Sequence, residues 1–463
     1  MLYPSRSEMR IKFSPPTPPV RRGRRLLDVS MDLFLFALGI LSSVVFHFVG
    51  DLFVSEVFMI VSLPFLLIFN ARRLSRPRFL RIFVLLGLWL CAQIISDAYN
   101  HTVLVDRMRG TALIGFFTIE IAFFAMFIVG NERRKVIFLT AYAIGSVALT
   151  QLQPNVAEVA GDAADNWKWS YAFGVTMLAL LVSGFLVRHR RHVLALLLLL
   201  GVSAVDLLTN FRSAFLMLLV TTALAFPIIP ERIGSLRLLP RNNGLLRVAI
   251  VAMLGLASGA VANQLVHLVS QAGLIREKAQ QKNEAEAQAG NLLLGGRPEF
   301  FVGLRAAMDS PIIGHGSWAK DMKYLEMQHD MMTEYGIQHD LSDSEADTQG
   351  LIPSHSHIVG AWVFSGFCGA LFWAYIFVLA ARAIVVVAVQ RPPLTLMYLW
   401  LFIGFTWNIF FSPFGSTSRA LEAFIIVVIA DLLQKSPVRI PKSVPWRRRG
   451  AIVAPRVVSS HAR

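Results

Sequence analysis

KAQQKNEAEAQ (Lys278–Gln288) lies inside a polar interval, roughly Asn263 to Ser354, bounded on both sides by apolar runs of membrane-spanning length. Outside that interval the chain is built for lipid: 55% of its residues are hydrophobic, 16% are charged, and the mean hydropathy is +0.57. A soluble globular chain carries more charge. Runs of about 17–20 apolar residues, the length a helix needs to cross about 30 Å of hydrocarbon, recur along the sequence. Twelve are read here: Met31–Val49, Leu52–Phe69, Phe79–Ile95, Thr111–Val129, Val136–Leu152, Trp169–Val187, Val193–Thr209, Ser213–Ile229, Leu245–Ala262, Ile358–Ala381, Leu394–Phe411 and Ala420–Leu433. The fold class expected is an all-α polytopic membrane protein with about 12 transmembrane helices and one large, partly helical outer loop between helices 9 and 10. The apolar run barely pauses at Asn210-Phe211-Arg212, where one long broken helix is the alternative to two spans.

Lys and Arg are retained on the cytoplasmic side during insertion, so their distribution tests the orientation. With the amino terminus inside, 32 of the 44 fall on inner segments, even though the long interval is outside. Both termini are therefore expected in the cytoplasm and the long loop on the outer face. The net charge of +15 arises from short basic clusters at inner helix ends, which topology and anionic membrane lipids explain without nucleic acid. Residues 1–30 read as a disordered basic arm, 31–262 as helices 1–9, 263–355 as the outer loop, 356–433 as helices 10–12, and 434–463 as a basic tail. No small-residue cleavage site follows the first apolar run, which reads as an anchor. Cys91 and Cys368 both fall inside spans, so no structural disulfide is expected.

The outer loop has its own organisation. Leu265, Leu268, Val269, Ala272 and Ile275 keep helical spacing, predicting that span nine rises off the membrane as a helix stopped by Gly290. Arg297-Pro298 opens a second helix, Glu299 to Met308, stopped by Asp309-Ser310-Pro311; Gly314-His315-Gly316 is a turn, and Asp340 to Gly350 is an acidic, solvated stretch.

These motifs carry a resemblance. GGRPEFFVGLRAAMDSPIIGHGSW (Gly295–Trp318) resembles the signature of the O-antigen ligase and polysaccharide polymerase superfamily. In that signature an Arg opens an amphipathic helix that is followed by Pro, two apolar residues and a Gly-x-Gly turn. HSHIVGAWVFSGFCG (His355–Gly369) is similar to the family's His-led start of the next span, with ten residues between His355 and Gly366 of a G-x-x-G step. Asn210-Phe211-Arg212-Ser213 resembles the family's Arg and small hydroxyl residue at the outer start of a span. The resemblance extends from about Met31 to Leu433. It implies a GT-C-like glycosyltransferase of a bacterial inner membrane, with a periplasmic active face and an undecaprenyl diphosphate-linked glycan as donor. The acceptor would be lipid A-core, as in lipopolysaccharide biosynthesis, or a second glycan, as in an exopolysaccharide or O-antigen polymerase. No cofactor, metal or nucleic acid is expected.

The residue types suit that chemistry. A leaving diphosphate is neutralised by planar guanidinium forks, for which Arg212 and Arg297 are the candidates and Arg305, two turns from Arg297, a further substrate-binding candidate. An attacking hydroxyl must lose a proton, which an imidazole accepts near neutral pH. His355 fits by position and is favoured. His357, two residues on, is the alternative base or a substrate-binding group, since only one of the two faces the acceptor if the segment is helical. Asp206 is expected to orient Arg212. Each residue also has a bland reading: snorkelling for Arg212, a loop charge for Arg297, a solvated or capping residue for His355, a solvated helix face for Arg305. The chain departs from its relatives at Ser356, where Asn is common, and at Ser365, where an acidic residue is. The outer-loop histidines and acids lack calcium-loop or zinc spacing. Trp167, Trp169, Trp318, Trp362 and Trp407 read as interfacial belt residues, on any of which an exposed face can stack a sugar. The competing function class is a twelve-helix secondary transporter, which would place polar groups at midplane in broken helices, where this sequence shows few charges.

Overall fold

A computed structural model describes residues 22–47, 50–150, 167–225, 253, 257–261, 264–266, 268–273, 297–334 and 350–435. The protein is mostly helical, with one small antiparallel hairpin, β1 Val45–His47 with β2 Asp51–Phe53. Fourteen helices are used below: α1 Arg22–Leu41, α2 Val54–Asn70, α3 Pro77–Tyr99, α4 Leu104–Phe127, α5 Glu132–Thr150, α6 Ala172–Arg188, α7 His192–Leu208, α8 Arg212–Ala225, α9 Pro298–Asp309, α10 Met322–Glu334, α11 His357–Ser365, α12 Phe367–Gln390, α13 Thr395–Phe411 and α14 Ser416–Lys435. Among the described residues four helical segments are long and apolar enough to cross a membrane, Val54–Arg73, Pro77–Tyr99, Leu104–Phe127 and Phe367–Gln390, and four shorter apolar helices accompany them. Leucine, isoleucine and phenylalanine side chains on the outer faces of α2 and α3 stay exposed, as lipid-facing surfaces do.

Where α1 crosses α5 the contact is close. A Cβ on Gly145 would meet the Ile40 backbone at 2.8 Å, so small residues set this crossing, as in other membrane bundles.

Charged groups sort to the two ends of the bundle. At one end Arg134 reaches Asp32, Lys135 Nζ bonds Asp431 at 2.6 Å and Glu132 at 2.8 Å, the Tyr398 hydroxyl donates to Glu132, and Arg73 donates to the Met126 carbonyl. These segments are the ones expected on the cytoplasmic side from the Lys and Arg distribution. At the other end, α9, α10 and α11 share a small apolar core of Val302, Ala306, Ala307, Tyr324, Ile352, Val359 and Val363. The polar interval is thereby docked onto the spans.

Several boundaries depart from the sequence reading. Helix α1 begins at Arg22, inside the arm expected to be disordered, and ends at Leu41, where the chain turns into the hairpin instead of continuing helically to Val49. Between α7 and α8 the sequence reading of two helices holds and its alternative of one broken helix does not, because Asn210, at φ 57°, turns the chain there. The helical stretch before the outer segment turns at Ala272–Gly273, with Gly273 at φ 67°, which a right-handed helix cannot accommodate; the Gly290 stop lies outside the described residues. The expected tenth span is two helices, α11 and α12, broken at Gly366. Gly366 adopts φ 68°, ψ −161°, open essentially to glycine alone, and a Cβ there would strike the Ile312 carbonyl. The helix over the expected twelfth span begins earlier, at Ser416, and runs 20 residues to Lys435. Most of the expected ninth span, the acidic stretch to residue 349, and residues 1–21 and 436–463 lie outside the described residues.

Candidate functional site

Three chain segments far apart in sequence meet at the last turn of α13. Helix ends leave carbonyls without intrahelical partners, and three of these are taken by the outer motifs. Arg297 Nη1 donates to the Phe411 carbonyl at 3.0 Å, Ser356 Oγ to the Ile409 carbonyl at 2.9 Å, and His357 Nδ1 to the Ser412 carbonyl at 2.7 Å. Ser356 also caps α11, its Oγ accepting from Val359 N at 3.2 Å. The Ser356 hydroxyl thus serves two bonds at once, as acceptor at the cap and as donor to α13.

The two imidazoles separate cleanly. His357 is buried, with Nε2 2.7 Å from Glu422 Oε1 and its ring against Trp373 and Phe414. Because a carbonyl can only accept, Nδ1 carries a hydrogen, and the proton between Nε2 and Glu422 completes the pair. Neither nitrogen is open to a substrate hydroxyl. His357 is a positioning residue that pins α11 to α13 and α14, and as a base or a direct substrate ligand it is corrected here. His355 is exposed, has no hydrogen-bond partner among the described residues, and lines a cavity of about 490 Å³ between the polar interval and the long helices.

The floor of that cavity includes Trp89, Gly110 and Phe414, and its outer wall Trp318, Leu325, Gln328 and His329. Trp89 Nε1 donates to Ser365 Oγ at 2.8 Å, and Ser365 Oγ donates in turn to the Ala361 carbonyl. Ser365 thus holds a cavity wall. The Gly314–Trp318 turn is clamped to the end of α3. Asp97 is fully buried and accepts from Ser317 N at 2.6 Å and Ser317 Oγ at 2.9 Å, while Asn100 Nδ2 donates to the Gly314 carbonyl and Ser96 Oγ accepts from Gly316 N. His315 N and Gly316 N donate to the Val363 and Phe364 carbonyls, and His315 Nε2 meets the Ala306 carbonyl at 2.8 Å, a structural use of that imidazole.

Arg212 opens α8 half-buried between Phe211 and Ser213, both of which line a second cavity of about 330 Å³ with Lys168, Trp407, Asn408 and Glu422. Glu422 therefore touches the second cavity while bonding His357 on the wall of the first. Asp206 does not orient Arg212: its Oδ1 accepts from Trp167 Nε1 at 2.9 Å and its Oδ2 is buried without a hydrogen bond. Arg305, spaced in the sequence to share a ligand with Arg297, already has a neighbour on its own helix. It pairs with Asp309, Nε to Oδ1 at 3.2 Å, on a largely exposed face. Asp309 also accepts from the Tyr324 hydroxyl at 2.7 Å and Lys323 Nζ at 3.0 Å. Those two bonds hold its carboxyl below the usual carboxylate range, and burial together with the Asp309 carboxylate pushes the Tyr324 phenol up.

Below the site lies a buried ionic cluster that sequence reading missed. Arg419 bonds Glu56, with Nε 2.8 Å from Oε1, lies 3.8 Å from Glu120, and sits over the Phe116 ring. Both Glu120 oxygens and Glu422 Oε2 are buried without hydrogen bonds. Arg419 and Glu422, one turn apart in an apolar run, were the available signal; an intramembrane ion pair marks function or assembly. Charges that look sparse along the chain are gathered by the fold. Among the described residues no group of three or more His, Cys, Asp or Glu side chains is placed to hold a metal ion.

No protein-family model matches the chain, and no curated protein matches it.

Proposed function

We propose that this protein transfers a glycan from an undecaprenyl diphosphate carrier to a sugar hydroxyl on the periplasmic face of a bacterial inner membrane, with lipid A-core as acceptor. The observation that carries this reading is the convergence of Arg297 and the His355–His357 segment on the last turn of α13, with His355 facing a cavity at the outer end of the bundle. In the reaction, the acceptor oxygen attacks the anomeric carbon and forms the new glycosidic bond. The bond from that carbon to the diphosphate oxygen breaks with its electron pair on the diphosphate, and the acceptor proton passes to the free imidazole of His355. Arg297 and Arg212 neutralise the charge that develops on the leaving group. A diphosphate needs no general acid, so the reaction asks for one base, and the exposed imidazole of His355 on the cavity wall supplies it. Twelve spans, with both termini cytoplasmic, place the basic end of the bundle inside and this site outside.

Repeat-unit polymerisation uses the same donor chemistry with a carrier-linked glycan as acceptor. The test is transfer in proteoliposomes by wild type and Arg297→Ala, offering lipid A-core and a second carrier-linked glycan in parallel. Product on the lipid core identifies a ligase, and lengthening of the carrier-linked glycan a polymerase. Absence of both products with folded wild type, or full activity of Arg297→Ala, refutes the assignment. A secondary transporter is the second reading, favoured by the buried cluster around Arg419 and Glu56. It requires solute accumulation in sealed vesicles with no new glycosidic bond.

A further inference from the structure

The first cavity, beyond holding His355, has a lining that discriminates between the two substrates of the proposed reaction. A diphosphate site is marked by cations. None of the described lining residues of this cavity is Lys or Arg, and Glu299 adds a carboxylate. Arg297, although next to Glu299 in the chain, is not among the residues lining it and spends a guanidinium nitrogen on the Phe411 carbonyl. A diphosphate placed here would face a carboxylate without a counter-charge from the described wall, which a site of low dielectric penalises.

The same lining suits a sugar. Aromatic and aliphatic walls, Trp89, Trp318, Leu325, Phe364 and Phe414, surround a few convergent polar groups, the pattern of a small-molecule site, and about 490 Å³ falls within the roughly 300–1,000 Å³ of such sites. Four of the polar lining groups are largely uncommitted. Glu299, His329 and His355 have no hydrogen-bond partner among the described residues, and Gln328 has only a 3.9 Å contact from Nε2 to the Met332 sulfur. Trp318 is held at φ 49°, a left-handed conformation that a bulky residue adopts only when its surroundings impose it. The surroundings are visible: its ring stacks on Phe364 at 6.0 Å and 12°, and the turn that carries it is clamped by Asp97. That arrangement leaves a half-buried indole on the cavity wall, a surface on which a pyranose ring stacks.

The geometry points to this cavity as the acceptor-sugar subsite, taking an uncharged pyranose residue, with Glu299 as the residue that accepts its hydroxyl hydrogens and turns away anionic sugars. The assignment rests on the glycosyl-transfer reading for the word acceptor, but not for the class of ligand. The donor diphosphate then lies outside this cavity.

Two readouts test it. In the transfer assay Glu299→Gln raises the acceptor KM about tenfold, the loss of one hydrogen bond to a charged acceptor group, and leaves the donor KM within twofold. A rise in donor KM instead, or no change in either, overturns the assignment while transfer itself stands. Independently of transfer, isomaltotriose and trigalacturonate are titrated into the full chain in lipid nanodiscs, with tryptophan fluorescence as the signal. Wild type is quenched saturably by isomaltotriose and not by trigalacturonate, and Trp318→Phe loses most of the signal. Glu299→Lys reverses the preference between the two sugars. No saturable response to isomaltotriose, or stronger binding of trigalacturonate to wild type, overturns the carbohydrate assignment. Saturable binding that Glu299→Gln weakens, in a protein that forms no product with either acceptor, keeps the subsite and removes the transferase reading.

Discussion

Replacing each of the two neighbouring histidines by alanine is expected to give opposite defects. His357 is buried and bonded at both ring nitrogens, to the Ser412 carbonyl and to Glu422. Its removal orphans a carbonyl and a carboxylate oxygen in the bundle interior, and opens a space beside Trp373 and Phe414. Orphaning two buried acceptors costs about 1–3 kcal/mol each, a shift of roughly one to four decades in the folding equilibrium. His355 makes no hydrogen bond among the described residues and is exposed, so its removal stays within about 0.5 kcal/mol. As general base it contributes about 10²–10⁴ to the rate. Stability is read by SDS titration of the detergent-solubilised protein, and catalysis by initial transfer rate at saturating donor. His357→Ala therefore unfolds earlier, and His355→Ala unfolds with wild type but transfers at least a hundredfold more slowly. The reasoning is refuted if His355→Ala keeps more than a tenth of the wild-type rate, or if His357→Ala unfolds with wild type.

The remaining expectations concern the supports of the cavity. Asp97→Ala strands the Ser317 amide and hydroxyl in a buried site, a loss of about 1–3 kcal/mol for each orphaned group, so hydrogen exchange across residues 314–318 accelerates by at least tenfold while exchange in α5 stays unchanged. Gly366→Ala forces a Cβ against the Ile312 carbonyl at a positive φ; folded protein recovered by size-exclusion chromatography falls sharply, whereas Gly87→Ala, with open space around its Cα, is recovered like wild type. Asp309 titrates below its usual range because the Tyr324 hydroxyl and Lys323 favour its charged form. A lowered folded pKa stabilises above the unfolded value of about 3.9 and is lost as pH falls through the folded one, so docking of α9 on α10 weakens in acid below about pH 4. Exchange in residues 298–309 between pH 6 and pH 3, corrected for intrinsic rates, shows this dependence in wild type and loses it in Asp309→Asn.

The candidate site was partly legible because its motifs are local. Arg297 before a first-turn proline, the Gly314–Gly316 turn and His355 ahead of an apolar run all stand where short-range chemistry puts them. The partners were not legible. Arg305 is spaced to share a ligand with Arg297, but spacing does not show that Asp309, one turn on, takes its guanidinium first. Asp206 is near Arg212 in sequence, but the fold brings Trp167 to its carboxylate. Glu422 and Arg419 read as isolated charges in an apolar run until α2, α4 and α11 supply Glu56, Glu120 and His357.

The sequence by itself determined that the chain is mostly helical, with helices long and apolar enough to cross a membrane on both sides of one long polar interval, because burial in lipid demands long apolar runs and satisfied backbone bonds wherever the neighbours lie. Its charge distribution also separated the two ends of the bundle before any contact was known. Only the tertiary structure decided which imidazole is free, where the tenth apolar run breaks, and which side chains face the cavity. Those outcomes depend on hydrogen-bond partners and steric neighbours hundreds of residues apart, and a helical period carries no record of what packs against it.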